Sequence, residues 1–148
     1  VADKESALVA IKTELETITI TNGYSFDIKK VTRQFETIKN IAVTDFPCLI
    51  IEDDGAEELD FKTGGFADIQ VDINIIGYVN NRDNVSTKLN ELDNALTKAI
   101  YSNPTLSGAV GHVSIVEIKE RSGSQYNPYG FFVRPIKLFY EVQLPNGL

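Results

Sequence analysis

The stretch ADIQVDINIIGYV, residues 67–79, decides the fold. Ala67, Ile69, Val71, Ile73 and Ile75 alternate with Asp68, Gln70, Asp72 and Asn74. Successive side chains of a strand point to opposite faces, so this pattern predicts a long strand with one face inside and one outside. The last part, IIGYV, loses the alternation. That predicts a bulge, or a second covered face, near Gly77.

Two amphipathic helices frame this strand in the sequence. After it, Val85, Leu89, Leu92, Leu96, Ala99 and Ile100 recur at helical spacing from a start near Asp83 or Asn84. The helix should end at SNP, residues 102–104, because a residue before proline avoids the helical region. At the beginning of the chain, Leu8, Ile11, Leu15 and Ile18 form a second stripe. Asp3 is suited to cap that helix, and TNG at residues 21–23 to stop it. Between the stripes, YSFDI alternates and predicts a strand from Tyr24 through Val31 toward Phe35, followed by a polar connection over residues 36–45. FPCLII, residues 46–51, reads as a short strand buried on both faces, with Pro47 at its start. HVSIVEIKER, residues 112–121, predicts a strand with a bulge between Ile115 and Val116, and SGSQYNPYG, residues 122–130, a polar loop. A final strand carries Phe132, Ile136, Leu138, Tyr140, Val142 and Leu144 on one face, with Pro135 at an edge or bulge.

Strands therefore dominate between two helices, and no βαβα alternation recurs. The expectation is one α+β domain over residues 1–148: a mixed, mostly antiparallel sheet with two amphipathic helices packed on one face. The length suits a single domain with one substantial core. Fourteen Lys and Arg face 21 Asp and Glu, a net charge of -7. Such a surface repels phosphate backbones, which argues against nucleic-acid recognition. No apolar run reaches the ~20 residues that span a bilayer, and no targeting segment opens the chain, so no membrane partner is expected. Cys48 and His112 are the sole residues of their kinds, too few for an internal disulfide or the usual zinc sets.

The chemistry hinges on IIEDDGAEELDF, residues 50–61, with carboxylates at Glu52, Asp53, Asp54, Glu57, Glu58 and Asp60. A calcium loop centred on Gly55 would need its first ligand at Ile50 and its bidentate ligand at Phe61. Both are apolar, so that motif fails. A two-metal hydrolase would take carboxylates from separate rigid strands, with Asp68 or Asp72 as partners for this segment. Six acids between Gly55 and the turn at residues 63–65 fit a solvated loop or hairpin tip better. His112 has no nucleophile elbow beside it, the glycines near it lack a following Lys-Ser/Thr, and Cys48 reads as a small buried hydrophobe. No catalytic constellation results, and the expectation is a protein without enzymatic activity or cofactor. The remaining candidates are polar and aromatic surfaces in two hairpin-like regions. One holds the six carboxylates; the other holds Arg121, Tyr126 and Tyr129. Tyrosine suits such surfaces because its ring buries area while its hydroxyl stays satisfied.

Taken in order, the chain resembles the tail terminator proteins of long-tailed bacteriophages, the lambda-type group. The resemblance rests on NGY (residues 22–24), IKKVTRQF (28–35), FPCLIIEDD (46–54), LNELDNALTKAI (89–100), NPTLSG (103–108) and IKLFYEV (136–142), and covers nearly the whole chain. It implies a virion subunit, assembled in the host cytoplasm, that forms a ring, typically a hexamer, on the head-proximal end of the tail tube. The ring stops tube polymerisation and offers the head-tail joining surface. Its implied partners are other copies of the chain, the tail tube protein and a head-completion or neck protein; the genome passes through the ring without sequence-specific binding. In that role the acidic segment and the Arg121 loop are expected to face neighbours or the lumen. Other neck or tail-tube proteins and, further off, a metal-dependent enzyme are the alternatives.

Overall fold

The computed structural model describes residues 3–53, 57–126 and 128–143, with the side chains of residues 124–126 left aside. Its spine is a pair of antiparallel strands, β4 (Phe66–Asn80) and β7 (Tyr129–Gln143), in register over fifteen residues each. The alternating stretch thus forms a strand over its whole length, including IIGYV.

Each spine strand is flanked by two shorter ones rather than by one long one. On the outer side of β4 lie β2 (Cys48–Glu52) and β3 (Glu57–Phe61), both antiparallel to it. On the outer side of β7 lie β5 (His112–Ile115) and β6 (Glu120–Tyr126). β1 (Lys30–Thr32) pairs with β2 and makes the parallel pair of an otherwise antiparallel sheet. The two flanks break at overlapping levels, offset by two residues along the spine. Between Glu52 and Glu57 the outer chain advances five residues while β4 advances three, and between Ile115 and Glu120 the same mismatch faces β7. The second break is bridged by backbone bonds from Val116 N to the Pro135 carbonyl (3.0 Å) and from Lys119 N to that of Val133 (3.0 Å). Pro135 therefore sits where β7 lacks a regular partner, which suits a residue without an N–H.

The two helices, α1 (Lys4–Leu15) and α2 (Val85–Ser102), cover one face of the sheet, as an α+β domain requires. Asp3 caps α1 by accepting from Ser6 N at 2.6 Å, and this bond holds its carboxyl below the usual range. The predicted stripes are the buried ones: Leu8, Ile11 and Leu15 from α1, and Leu89, Leu92, Leu96 and Ile100 from α2, against Ile69, Val71, Ile73, Ile75, Phe132, Ile136 and Leu138. α1 ends at Leu15, earlier than expected, yet Ile18 stays fully buried beyond it. Gly23 takes the left-handed conformation (φ 93°) and ends a short 3-10 turn instead. Arg134 of β7 and Asp93 of α2 tie helix to sheet through two bonds, 2.7 and 3.1 Å, while a third Arg134 nitrogen donates to the Val116 carbonyl (2.9 Å).

Four expectations need correction. Residues 24–35 yield a strand only at Lys30–Thr32; Tyr24, Phe26 and Ile28 do pack inward, but β2 offers pairing for three residues alone. Residues 112–121 form two strands, not one bulged strand. The loop expected at 122–130 is largely β-hairpin, with Tyr126 opposite Tyr129. The acidic segment is not a solvated loop: Glu57–Phe61 is a strand, and the hairpin turn falls after it, where Gly64 and Gly65 adopt φ of 85° and 83°. Asp54 and Leu144, expected in the acidic segment and on the inner face of the last strand, lie outside the described residues.

Near Gly77 the lost alternation marks a second covered face. Pairing on both sides of Gly77 is unbroken, so there is no bulge. Ile76 and Tyr78, with Cys48 and Ile50, form a smaller core under Ile41, against which Ile38 and Phe46 also pack. Gly77 lies on the opposite, helix-covered face, where an added Cβ would come within 2.5 Å of Phe132 Cζ and 3.0 Å of Leu92 Cδ2. Glycine is required there because the Phe132 ring occupies the space of a side chain.

Candidate interaction surfaces

The second core covers one end of the sheet's outer face; the other end is bare. Register sets its residues in cross-strand rows. Asp60, Asp68 and Glu141 form one row, and Glu58, Gln70, Phe139 and His112 the next. Like charges directly opposite each other repel. Lys62 relieves the first row, reaching Glu141 at 2.7 Å and Asp68 at 3.5 Å, and these partners raise its pKa, Glu141 most. The His112 ring stacks on Phe139 with centroids 4.3 Å apart. The resulting depression, about 410 Å³, is open and lined by four carboxylates, Glu58, Asp60, Asp68 and Glu141, together with His112, Phe139 and Tyr140.

β3 stands at the edge of this surface with all five side chains exposed. Its alternation gives it two characters. Glu58 and Asp60 lie with the acidic rows, whereas Glu57, Leu59 and Phe61 take the parity of Ile69 and Ala67. Leu59 is 37% exposed and Phe61 67%, unusual for large apolar residues of a strand. Glu57 also acts on the nearby core: with Asp3 it adds to burial in pushing the Tyr140 hydroxyl up to about 12.

The remaining sequence candidates fall elsewhere. Glu52 ends β2 and accepts from Asn74 Nδ2 at 3.3 Å. Asp53 is exposed just beyond it and contributes to raising the Arg33 pKa, behind the dominant hydrogen bonds to Glu5. Arg121 is an anchor between elements: it donates to Ser86 Oγ (3.1 Å) in the first turn of α2. The side chain of Tyr126 lies outside the described residues. Tyr129 is half-buried, its ring 6.0 Å from that of Phe46.

Tyr129 does belong to a surface the sequence did not show. Phe35, Ile38, Lys39, Tyr78, Tyr129 and Phe131 line an open, mainly apolar groove of about 900 Å³. Tyr78 and Phe131 form its floor and pair with each other across the spine. Residues 35–40 form its wall, with Phe35 56% exposed. Its residues are scattered over nearly a hundred positions, so no local pattern announces it. Its trace in the sequence is Phe35 and Phe131, each standing near polar residues.

Cys48 is fully buried, and burial pushes its thiol up to about 11, as for an inert core residue. Among the described residues no group of three or more His, Cys, Asp or Glu is arranged to hold a metal ion, and no helix is long and apolar enough to cross a membrane. No protein-family model matches the chain, and no curated protein matches it.

Proposed function

We propose that this chain is a structural subunit of a bacteriophage tail, a tail terminator that forms a ring on the tail tube, stops its growth and presents the head-joining surface. The order of sequence motifs supplies the resemblance. The structural observation that carries the reading is β3, a strand whose three carboxylates and two large apolar side chains are all exposed. An isolated domain gains nothing from exposing Phe61; a subunit covered by neighbours does. The acidic rows repel one another, which disfavours pairing of like faces and leaves contacts between two different patches as the way copies join. The partners are other copies, the tube protein and a neck protein, and no chemical reaction is involved.

The test is negative-stain imaging of the protein alone and with tail tubes. Rings seated only at tube ends support termination. Incorporation along the tube would make it a tube protein, and failure to touch tubes at all would overturn the assignment.

One observation favours the metal-dependent alternative: Asp60 and Asp68 stand side by side. Against it, Lys62 already serves as their neighbour's counter-ion, so a divalent cation would have to displace it. Calorimetry with Mg²⁺, Mn²⁺ and Ca²⁺ decides between them, because tight binding at this row would favour the enzyme.

A further inference from the structure

We infer that the exposed apolar pair of β3, Leu59 and Phe61, seats in the Phe35–Tyr129–Phe131 groove of a second copy of this chain, joining copies head to tail. The inference deepens the ring reading above by naming its joint.

Three observations lead to it. The first is complementarity. β3 presents Leu59 and Phe61 between Glu57, Glu58 and Asp60, and the groove is an apolar trough with the exposed Lys39 in its wall. Its volume of about 900 Å³ accommodates two large side chains. The second is distance. Phe61 pairs with Ala67, and Phe131 pairs with Tyr78. Eleven residues of strand separate those two positions on β4, roughly 35 Å at ~3.3 Å per residue. One molecule cannot fill its own groove with its own β3. The third is facing. Leu59 and Phe61 share the parity of the helix-covered face, whereas the groove opens on the opposite face. A copy shifted along the spine and set on the first copy's helix-covered side, with a rotation between copies, turns its groove toward the first copy's β3. No two-fold axis is needed, and a joint between two different patches repeats until it closes a ring or continues as a filament.

The experiment uses the full chain and two substitutions at exposed positions, Phe61→Ser and Phe35→Ser. Circular dichroism and thermal melting check that both fold as the wild type does. Sedimentation velocity and native mass spectrometry then give the assembly state. Wild type is expected to assemble, and each variant alone to be monomeric, with self-association weakened on the order of a hundredfold by loss of one central apolar anchor. Mixed in equal amounts, the variants should form a heterodimer and nothing larger. One has an intact groove and the other an intact β3, so a single joint can form. Lys39→Glu should weaken wild-type assembly in a salt-dependent way.

Folded variants that assemble as the wild type does would overturn the joint, as would a mixture that stays monomeric or a wild-type chain that never self-associates. Imaging the same samples with tail tubes separates this inference from the functional reading. Wild-type rings on tube ends alongside normally assembling variants would sink the joint and leave the terminator. A working heterodimer from a protein that ignores tubes would keep the joint and sink the terminator.

Discussion

The two ends of the β4–β7 spine follow different rules. At the Ile76–Tyr78 end both sheet faces are covered, by α2 on one side and residues 38–46 on the other, and the side chains there are fixed by packing. At the Asp68–Asp72 end one face is bare, the flanking strand is wholly exposed, and charge replaces volume as the main constraint. One strand runs through both environments. A regular alternation therefore reports how many layers cover a strand, and its loss at Ile75–Ile76 reports where a second layer begins.

If that contrast is right, substitutions at the covered end should be costly and those at the bare end nearly silent. Gly77→Ala is the harshest test. The new methyl group meets the Phe132 ring and Leu92 inside a filled core, so a loss of about 3 kcal/mol is expected in denaturant unfolding. A change below about 0.5 kcal/mol would mean that the covered end is loosely packed. Next comes Arg134→Gln, which strands Asp93 at the helix–sheet junction without its bidentate partner. Side-chain exposures of 15% and 19% leave some solvent screening, so about 2 kcal/mol is a reasonable expectation.

Cys48 provides a pH test of the same end. Its thiol titrates near 9.0 when unperturbed and is pushed up to about 11 by burial. The unfolded chain therefore releases this proton first. The contribution is fully present below pH 9 and is lost as pH rises from there through 11. Between pH 8 and 10.5 the wild type should lose on the order of 1–2 kcal/mol more than Cys48→Ala, measured by urea unfolding at each pH. Equal losses would show that water reaches the thiol.

The bare end should give the smallest effects. Lys62→Gln and Glu58→Gln are expected to change stability by less than ~0.5 kcal/mol, since exposed ion pairs contribute little. A larger loss would show that the acidic rows are held together by Lys62 rather than merely tolerated.

The parts of this fold legible in the sequence are those set by local periodicity. The β4 alternation, the α2 stripe, the break before Pro104 and the doubly buried FPCLII stretch each arise from side chains that repeat with their own element. The misread parts depend on a distant partner. Glu57–Phe61 looks like a loop because carboxylates beside a glycine resemble a turn; it is a strand because β4 offers it an edge. Residues 122–126 look like part of a polar loop because they are Ser- and Gly-rich, yet they belong to a strand that pairs with β7 at Ser122 and Tyr126. Arg121 illustrates the limit for sites. Its charge suggested a partner outside the chain, and its partner is Ser86, thirty-five residues away. The apolar groove follows the same logic, since Phe35 and Phe131 meet only after folding.

β3 has a consequence for how such a protein can change over generations. None of its five side chains is part of the packed interior, so its sequence can drift without the folding penalty that constrains the spine. Selection on those positions would come from whatever touches them, not from the domain they belong to. Recognition can then be rewritten one residue at a time, while the scaffold behind it stays the same.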